Sequence, residues 1–582
     1  MEDTAKKLFK LYLLIVVLKI VLAYFIKTPT GFWDEYIYSK LARSFFFEQE
    51  FSLAQGIPSP FYPPLYPVIL SIAYLAKNME VIYFLMKIIN SVVSTLVIIP
   101  AYLLSKELLD EDRRFYFVLL TSFLPVFFSF SNYILAENLF FPLFLFSIYF
   151  IYKSLKENTL KNNVLASVFI SLSFLTKNLG LILIPVFFAS IFVKRLALKE
   201  KINFKNIIVG VLILILLISP WLIRNYINFG PGLAGVIEDT AKDNLESFIT
   251  PSKHGGLLSY SLSLINWIIM HFVALSISSG LIFFFSSFFA FKNIRQNRKL
   301  YCFAIVAFIV ILGYALVLSN NALGQPDKSL PDFFRFYTGR PILRYIDILS
   351  PLVLLLGIIG LNNYSLDQKN KLKKIILLSI PLFIISVQLI FSNLTPINNL
   401  SLTHIGSIKI LLGYLINKQF SISQAFSLPI ILIMLVFFAA LPMAGFLVNK
   451  LKFKKIVYLV LAVFIVVNVM NFAINNYQSK KIFESPQSQT GLYLNDVDHD
   501  KIKNILFEVE GNPLTNISAT YMVIKEQQYQ DQYVSLTGFW LNHNLFFRDN
   551  DLKNIDYLIT TQKKKFFSQF EAGGIKVYKL KF

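Results

Sequence analysis

The sequence has a single cysteine in 582 residues, and only 15% of it is charged. One thiol, Cys302, cannot close an internal disulfide, and zinc or iron–sulfur sites built from several cysteines are excluded with it. The shortage of charge excludes more. Soluble domains carry about 25% charged and about 45–50% apolar residues. This chain is 55% apolar, with a mean hydropathy of +0.60. Its apolar residues fall in blocks of roughly 17–25, each long enough to cross a hydrocarbon core of about 30 Å. A soluble multi-domain enzyme and a disordered chain are both excluded. An all-α polytopic membrane protein is expected.

The spans read off as Leu8–Ile26, Val81–Ser105, Phe115–Ser131, Leu139–Tyr152, Val164–Thr176, Leu179–Val193, Ile207–Leu222, Leu262–Phe291, Tyr301–Leu318, Tyr345–Gly360, Ile375–Phe391, Phe426–Val448 and Ile456–Phe472, about thirteen in all. The first run lacks a small-x-small cleavage site and is long for a signal peptide, so it reads as a retained helix. Tyr66–Ala76 is too short to span and follows a proline cluster, which makes it a re-entrant or interfacial piece. The net charge of +21 would suggest nucleic acid in a soluble protein, but here it reports orientation. The short loops on the N-terminal side hold about 26 basic residues against about 14 in the longer opposite loops, so the former are cytoplasmic. An odd number of spans then puts the tail, 475–582, outside as a small α/β domain, with 1–474 forming the membrane domain.

Long loops need a reason, and these all lie on the outer side: Lys27–Glu80, Arg224–Ser261, Ser319–Arg344 and Ser392–Ala425. The first, 27–80, opens with Ile37, Leu41, Ala42 and Phe45 at helical spacing, an amphipathic interfacial helix with Asp34 and Glu35 in its first turn. Either these acids complement the helix dipole, or one is a general base or metal ligand at the membrane boundary. Pro58, Pro60, Pro63, Pro64 and Pro67 then make a rigid, extended segment, a loop stiffener or the wall of a site. Glu137 sits in a tight hairpin near membrane depth, where an isolated carboxylate is costly and function is the default reading. Lys177 lies in another outer turn, where it either snorkels or faces an anion. Arg224, Arg340 and Arg344 come to the same boundary. Carboxylates and cations in one plane suit a substrate with an anionic, membrane-embedded group and a hydroxyl to be activated, because arginine binds phosphate by a bidentate fork and lysine as a point charge.

Six segments in this order resemble the C-type (GT-C fold) glycosyltransferases. They are Trp33-Asp34-Glu35-Tyr36, Tyr62-Pro-Pro-Leu-Tyr66, Ala136-Glu137-Asn138, Leu175-Thr-Lys177, Pro220-Trp-Leu-Ile-Arg-Asn225 and Arg344-Tyr345. The resemblance is to the branch of the protein O-mannosyltransferases and the lipid A aminoarabinose transferase, and it covers roughly residues 8 to 475. It implies transfer of one sugar from a polyprenyl-phosphate donor to a lipid, glycan or protein acceptor on the outer face, with inversion. By that resemblance Asp34 is the base and Glu137 the second acid of the site. Lys177, Arg224, Arg344 and Arg340 bind the donor phosphate, and Tyr36, Tyr62, Tyr66 and Tyr345 line the substrate. The branch often carries a lysine before Pro-Pro, where this chain has Tyr62. No Asp-x-Asp occurs in the first loop. No cofactor is required, while Asp34, Glu35 and Glu137 are carboxylates suited to magnesium or manganese.

The alternative is a transporter or flippase of lipid-linked sugars, which would place charges deep in its spans. There only Lys19, Lys87 and Asp347 stand out, and no repeat is evident. A catalytically dead scaffold or receptor is a third class, which intact acidic positions disfavour. His271 and His404 are isolated, and Asp496-Val-Asp-His-Asp500 reads as a solvated turn more readily than as a cation loop. Asn393, Asn399 and Asn516 match the Asn-x-Ser/Thr sequon. Many Lys, Asn and Ile residues and a short tail suit the plasma membrane of a prokaryote, with membrane lipids and no nucleic acid as partners. Sugar, acceptor and oligomeric state are left open.

Overall fold

The computed structural model describes residues 2–30, 33–54, 57–59, 62–199, 204–230, 256–291, 294–322, 342–365, 368–390, 430–498, 502–508, 533–546, 555–562, 564 and 568–580, with isolated positions between 406 and 415. Among them, eight helices are long and apolar enough to cross a membrane, or nine if the bent pair Glu111–Phe123 and Pro125–Asn132 is one span. The chain is a multi-pass membrane protein. The expected count of about thirteen also takes in α1 (Glu2–Tyr24), the shorter helix Leu160–Thr176, and spans that reach past the described residues around 391–429.

Breaks fall where the backbone demands them. Pro125 cannot continue the ladder of the preceding helix, and the chain turns there by 58°. The stretch expected as one span over 262–291 is two helices, Leu257–Ser278 and Leu281–Ser287. Between them Gly280 takes φ +80°, which costs glycine little.

The first long loop, 27–80, expected on the outer side, folds back on itself. It contains α2 (Trp33–Glu48), the antiparallel pair β1 (Ser52–Ala54) and β2 (Ile57–Pro58), and α3 (Leu65–Ser71), followed by a single turn, Ile72–Leu75. A helix stands where the interfacial helix was expected, and a short apolar helix, Leu65–Leu75, where the non-spanning segment was expected. The chain then enters α4 (Met79–Thr95), whose first turn is capped by Asn78, with its side chain accepting from Glu80 N–H at 2.8 Å.

The tail carries a five-stranded mixed sheet of order β4-β3-β5-β7-β6, made of β3 (Asn504–Phe507), β4 (Asn544–Phe546), β5 (Tyr557–Thr560), β6 (Phe570–Ala572) and β7 (Ile575–Lys579). β3 pairs in parallel with β4 and β5, and β7 antiparallel with β5 and β6. Helices Pro486–Asp498 and Tyr533–Phe539 pack with it, and all of this docks on the first outer loop. Tyr36, Ile37 and Leu41 share one core with Ile505, Phe539 and Trp540. Buried Lys40 donates to Leu541 O at 2.6 Å, and Arg43 donates to Asn544 Oδ1 at 3.0 Å. Burial, and then the charge of Arg43, pushes the Lys40 ammonium well below its ordinary pKa. The first loop and the tail therefore lie together on one side of the spans.

Opposite them in sequence, a tight turn joins Leu160–Thr176 to Asn178–Ile182, with Lys177 extended between the two. Gly180 is packed so closely that a Cβ would lie 2.4 Å from Phe174 N. Gly180→Ala must move backbone, so a destabilisation of about 1–3 kcal/mol is expected, read as a lower melting temperature in detergent. An unchanged melting temperature would contradict the tight turn.

Candidate active site

The linker from α1 ends at the first turn of α2, which presents Asp34. Asp34 Oδ1 accepts from the Tyr62 phenol at 2.8 Å, and Oδ2 lies 3.6 Å from Arg344 Nη2. Tyr62 is delivered just ahead of Pro63 and Pro64, whose fixed φ stiffens its approach. The Asp34 side chain is 24% exposed. Its neighbours are not: Glu35 is 0% exposed and Glu137 3%. Asp34 is thus the accessible carboxylate of the three.

Glu137 opens the helix Glu137–Lys156, where the dipole favours a negative charge. Its Oε1 accepts from Lys177 Nζ at 2.6 Å, and its Oε2 is buried with no hydrogen-bond partner among the described residues. Burial opposes the Lys177 charge, but Glu137 outweighs it, and the ammonium is held above its ordinary pKa. Tyr345 joins the two ion pairs. Its ring centroid is 4.4 Å from Lys177 Nζ and 5.1 Å from the Arg344 guanidinium carbon, and its hydroxyl accepts from Arg344 at 3.4 Å. Two acids and two bases therefore meet around one phenol ring.

Tyr38 was not singled out in the sequence, yet it belongs here. One helical turn beyond Asp34, it packs edge-on against Tyr62 and Tyr66, with ring centroids 5.2 and 4.9 Å away. Burial, followed by the charges of Asp34 and Glu137, pushes its phenol well above the ordinary pKa, so it stays protonated. The i, i+4 spacing from Asp34 was the available signal.

The remaining expected residues divide differently. Tyr66 is fully buried and donates to Asn90 Oδ1 at 2.8 Å, beneath the site. Tyr36 packs against the tail domain, where a Cβ on Gly538 would lie 3.0 Å from its ring. Arg224 is spent on the first outer loop: it donates to Ser59 O at 2.7 Å and Phe51 O at 3.1 Å, and covers the Trp221 ring. Ser59 N–H also donates to Phe51 O at 3.0 Å, so the guanidinium reinforces a loop contact that the backbone already makes. Arg340, His404, Asp500 and the three sequon asparagines lie outside the described residues.

Both oxygens of Glu35 accept backbone N–H groups, from Thr30 at 3.1 Å and Ile134 at 3.0 Å. With Glu137 engaged by Lys177, the set Asp34, Glu35 and Glu137 does not fit a shared divalent ion. Among the described residues, no three or more His, Cys, Asp or Glu side chains are grouped to hold a metal. Of the charges within the spans, Asp347 is buried, and the two lysines are likewise committed. Lys19 donates to Ser94 Oγ at 2.8 Å and Phe127 O at 3.0 Å, and Lys87 to Ala23 O and Ile26 O, capping the end of α1. His271 Nδ1 meets Trp267 O and Ser319 Oγ.

Residues 62–223 match the family model described as dolichyl-phosphate-mannose-protein mannosyltransferase. That stretch holds Tyr62, Glu137 and Lys177. By structure, ArnT from Cupriavidus metallidurans in the apo state aligns at a TM-score of 0.51 and 10% identity, covering 99% of this chain and 98% of that one. The same protein bound to undecaprenyl phosphate gives 0.50 at 10% identity, over 92% of this chain and 85% of that one. The chain has the GT-C fold. The Archaeoglobus fulgidus oligosaccharyltransferase aligns at a TM-score of 0.41 and 12% identity, over 94% of this chain and 69% of that one. No curated protein matches by sequence.

Within this GT-C fold, the Glu137–Lys177 pair can be tested by stability alone. Lys177→Met leaves a buried carboxylate unpaired and should cost about 3–5 kcal/mol. Adding Glu137→Gln removes that charge, so the double variant should melt well above the single one in detergent. Equal loss in both would show that the pair does not hold the site.

Proposed function

We propose that the chain is a membrane glycosyltransferase that moves one sugar from a polyprenyl-phosphate carrier to a hydroxyl acceptor on the outer face of a prokaryotic plasma membrane, with inversion. The observation that carries this reading is the placement of Asp34. It is the partly exposed carboxylate, oriented by Tyr62 and Arg344, beside a buried site that also holds Glu137 and Lys177. The family model over residues 62–223 and the fold shared with ArnT, a protein with a structure bound to undecaprenyl phosphate, support the donor class.

In this reading the acceptor oxygen attacks the anomeric carbon from the side opposite the phosphate. Its proton passes to Asp34, within a turn whose tyrosine neighbour stays protonated. The bond from the anomeric carbon to the phosphate oxygen breaks, and its electron pair leaves on the phosphate. Lys177 and Arg344 lie where that charge develops, so no general acid is required. The unpartnered oxygen of Glu137 is an acceptor for a sugar or acceptor hydroxyl. Tyr345 holds the two cations together while the phosphate comes and goes.

The test separates base from carrier site. Asp34→Asn should keep its melting temperature and bind undecaprenyl phosphate within a few-fold of wild type, yet lose roughly 10²–10⁴-fold in transfer. Arg344→Gln should weaken undecaprenyl phosphate binding roughly tenfold or more. Wild-type turnover in Asp34→Asn removes it as the base. Unchanged carrier binding in Arg344→Gln removes the cation from the phosphate site.

A further inference from the structure

Glu35 stands beside the proposed base, and its carboxylate is fully buried. Its two oxygens face different parts of the chain. Oε2 accepts from Thr30 N–H at 3.1 Å, in the linker that leads into α2. Oε1 accepts from Ile134 N–H at 3.0 Å, in the turn that runs into Glu137. One side chain thus joins the segment bearing Asp34 to the segment bearing Glu137, about a hundred residues apart in sequence. Each end of the bridge is anchored in turn. Thr30 Oγ1 donates to Asn475 Oδ1 at 2.7 Å, and Thr28 N–H donates to Ser479 Oγ at 2.9 Å, both on the helix Phe453–Phe483. On the other side, Asn90 and Asn138 each donate to Tyr133 O at 2.9 Å, next to Ile134.

We propose that Glu35 is a positioning residue: a carboxylate clip between two backbone amides that sets the separation of Asp34 and Glu137. This rests on the glycosyl-transfer reading for its consequence, while the clip itself is independent of it. The chemistry favours a carboxylate over any other side chain here. Two N–H donors converge from opposite sides, and only an acceptor-only group with two oxygens satisfies both. A glutamine has one oxygen, so its amide nitrogen would meet one donor with another. An aspartate, one methylene shorter, keeps the charge but cannot span the same distance. Catalytic groups tolerate displacements of only about 0.5 Å, and a misplacement of about 1 Å can cost roughly 10²-fold.

The experiment uses the full chain in nanodiscs and compares wild type with Glu35→Gln and Glu35→Asp. Backbone hydrogen exchange should rise roughly tenfold or more in the peptides covering 26–34 and 132–137 together, with the spans unchanged. Turnover of dolichyl-phosphate mannose or undecaprenyl-phosphate sugars should fall roughly 10²-fold in both variants. Undecaprenyl phosphate binding, the pH profile of the residual activity and its response to added manganese should all match wild type. Faster exchange in one segment alone, or in neither, overturns the clip. Coupled exchange with wild-type turnover overturns positioning. Retained activity in Glu35→Asp overturns positioning, and recovery with manganese identifies a metal ligand instead. A wild-type protein inert to every donor sinks the transfer reading, and the exchange data still decide the clip. If neither Glu35 variant folds, Asn475→Ala, which loosens Thr30 from the other side, must speed exchange in 26–34 and lower turnover. Wild-type behaviour there overturns the proposal.

Discussion

A carboxylate and an ammonium buried at the ends of two helices can persist only as a pair, because either one alone would give up its charge or its place. Glu137 and Lys177 form that pair, and the surrounding structure follows from accommodating it. The helix Glu137–Lys156 contributes its positive end, the tight turn at Gly180 holds Lys177 extended, and Tyr345 lays a π-face beside the ammonium. The same ring carries Arg344, whose fork reaches Asp34. A neutral quartet of charges results, with one member, Asp34, open to what enters.

Many other charges near this plane are used for scaffolding. Arg224 ties the helix Phe204–Phe229 to the carbonyls of the first outer loop, and Lys40 and Arg43 fasten the same loop to the tail domain. Lys87 caps α1 just before the linker to α2. Arg224, Lys40 and Lys87 are occupied by backbone carbonyls, a role that lowers the cost of irregular backbone, and Arg43 by the Asn544 amide and the Glu48 carboxylate. The tail domain is a buttress of α2, since Tyr36 and Leu41 share its core.

Hydropathy made the membrane class legible, and the outer plane of charges followed from where the apolar runs stop. Asp34, Glu137, Lys177 and Arg344 were visible because ionisable groups at those depths are expensive. What stayed hidden depends on which way a side chain turns. Asp34 and Glu35 are adjacent and chemically alike, yet one faces the site and the other is consumed by two backbone amides contributed by segments far apart in sequence. Arg224 has the same charge as Arg344, but only the fold brings the carbonyls of Phe51 and Ser59 to it. Tyr38 was overlooked because a tyrosine on an amphipathic helix reads as core until its neighbours are known. The breaks at Pro125 and Gly280 fall inside continuous apolar runs, where hydropathy is blind to backbone direction.

Under the proposed transfer, the donor phosphate has one location, at Lys177 and Arg344. The most direct measurement is a cryo-electron microscopy map of the full chain in nanodiscs with undecaprenyl phosphate bound. Phosphate density within about 2.7–3.2 Å of the Lys177 or Arg344 donors is the predicted result. Density at Arg224, or between the spans near Lys19 and Lys87 with the outer quartet undisturbed, would contradict it.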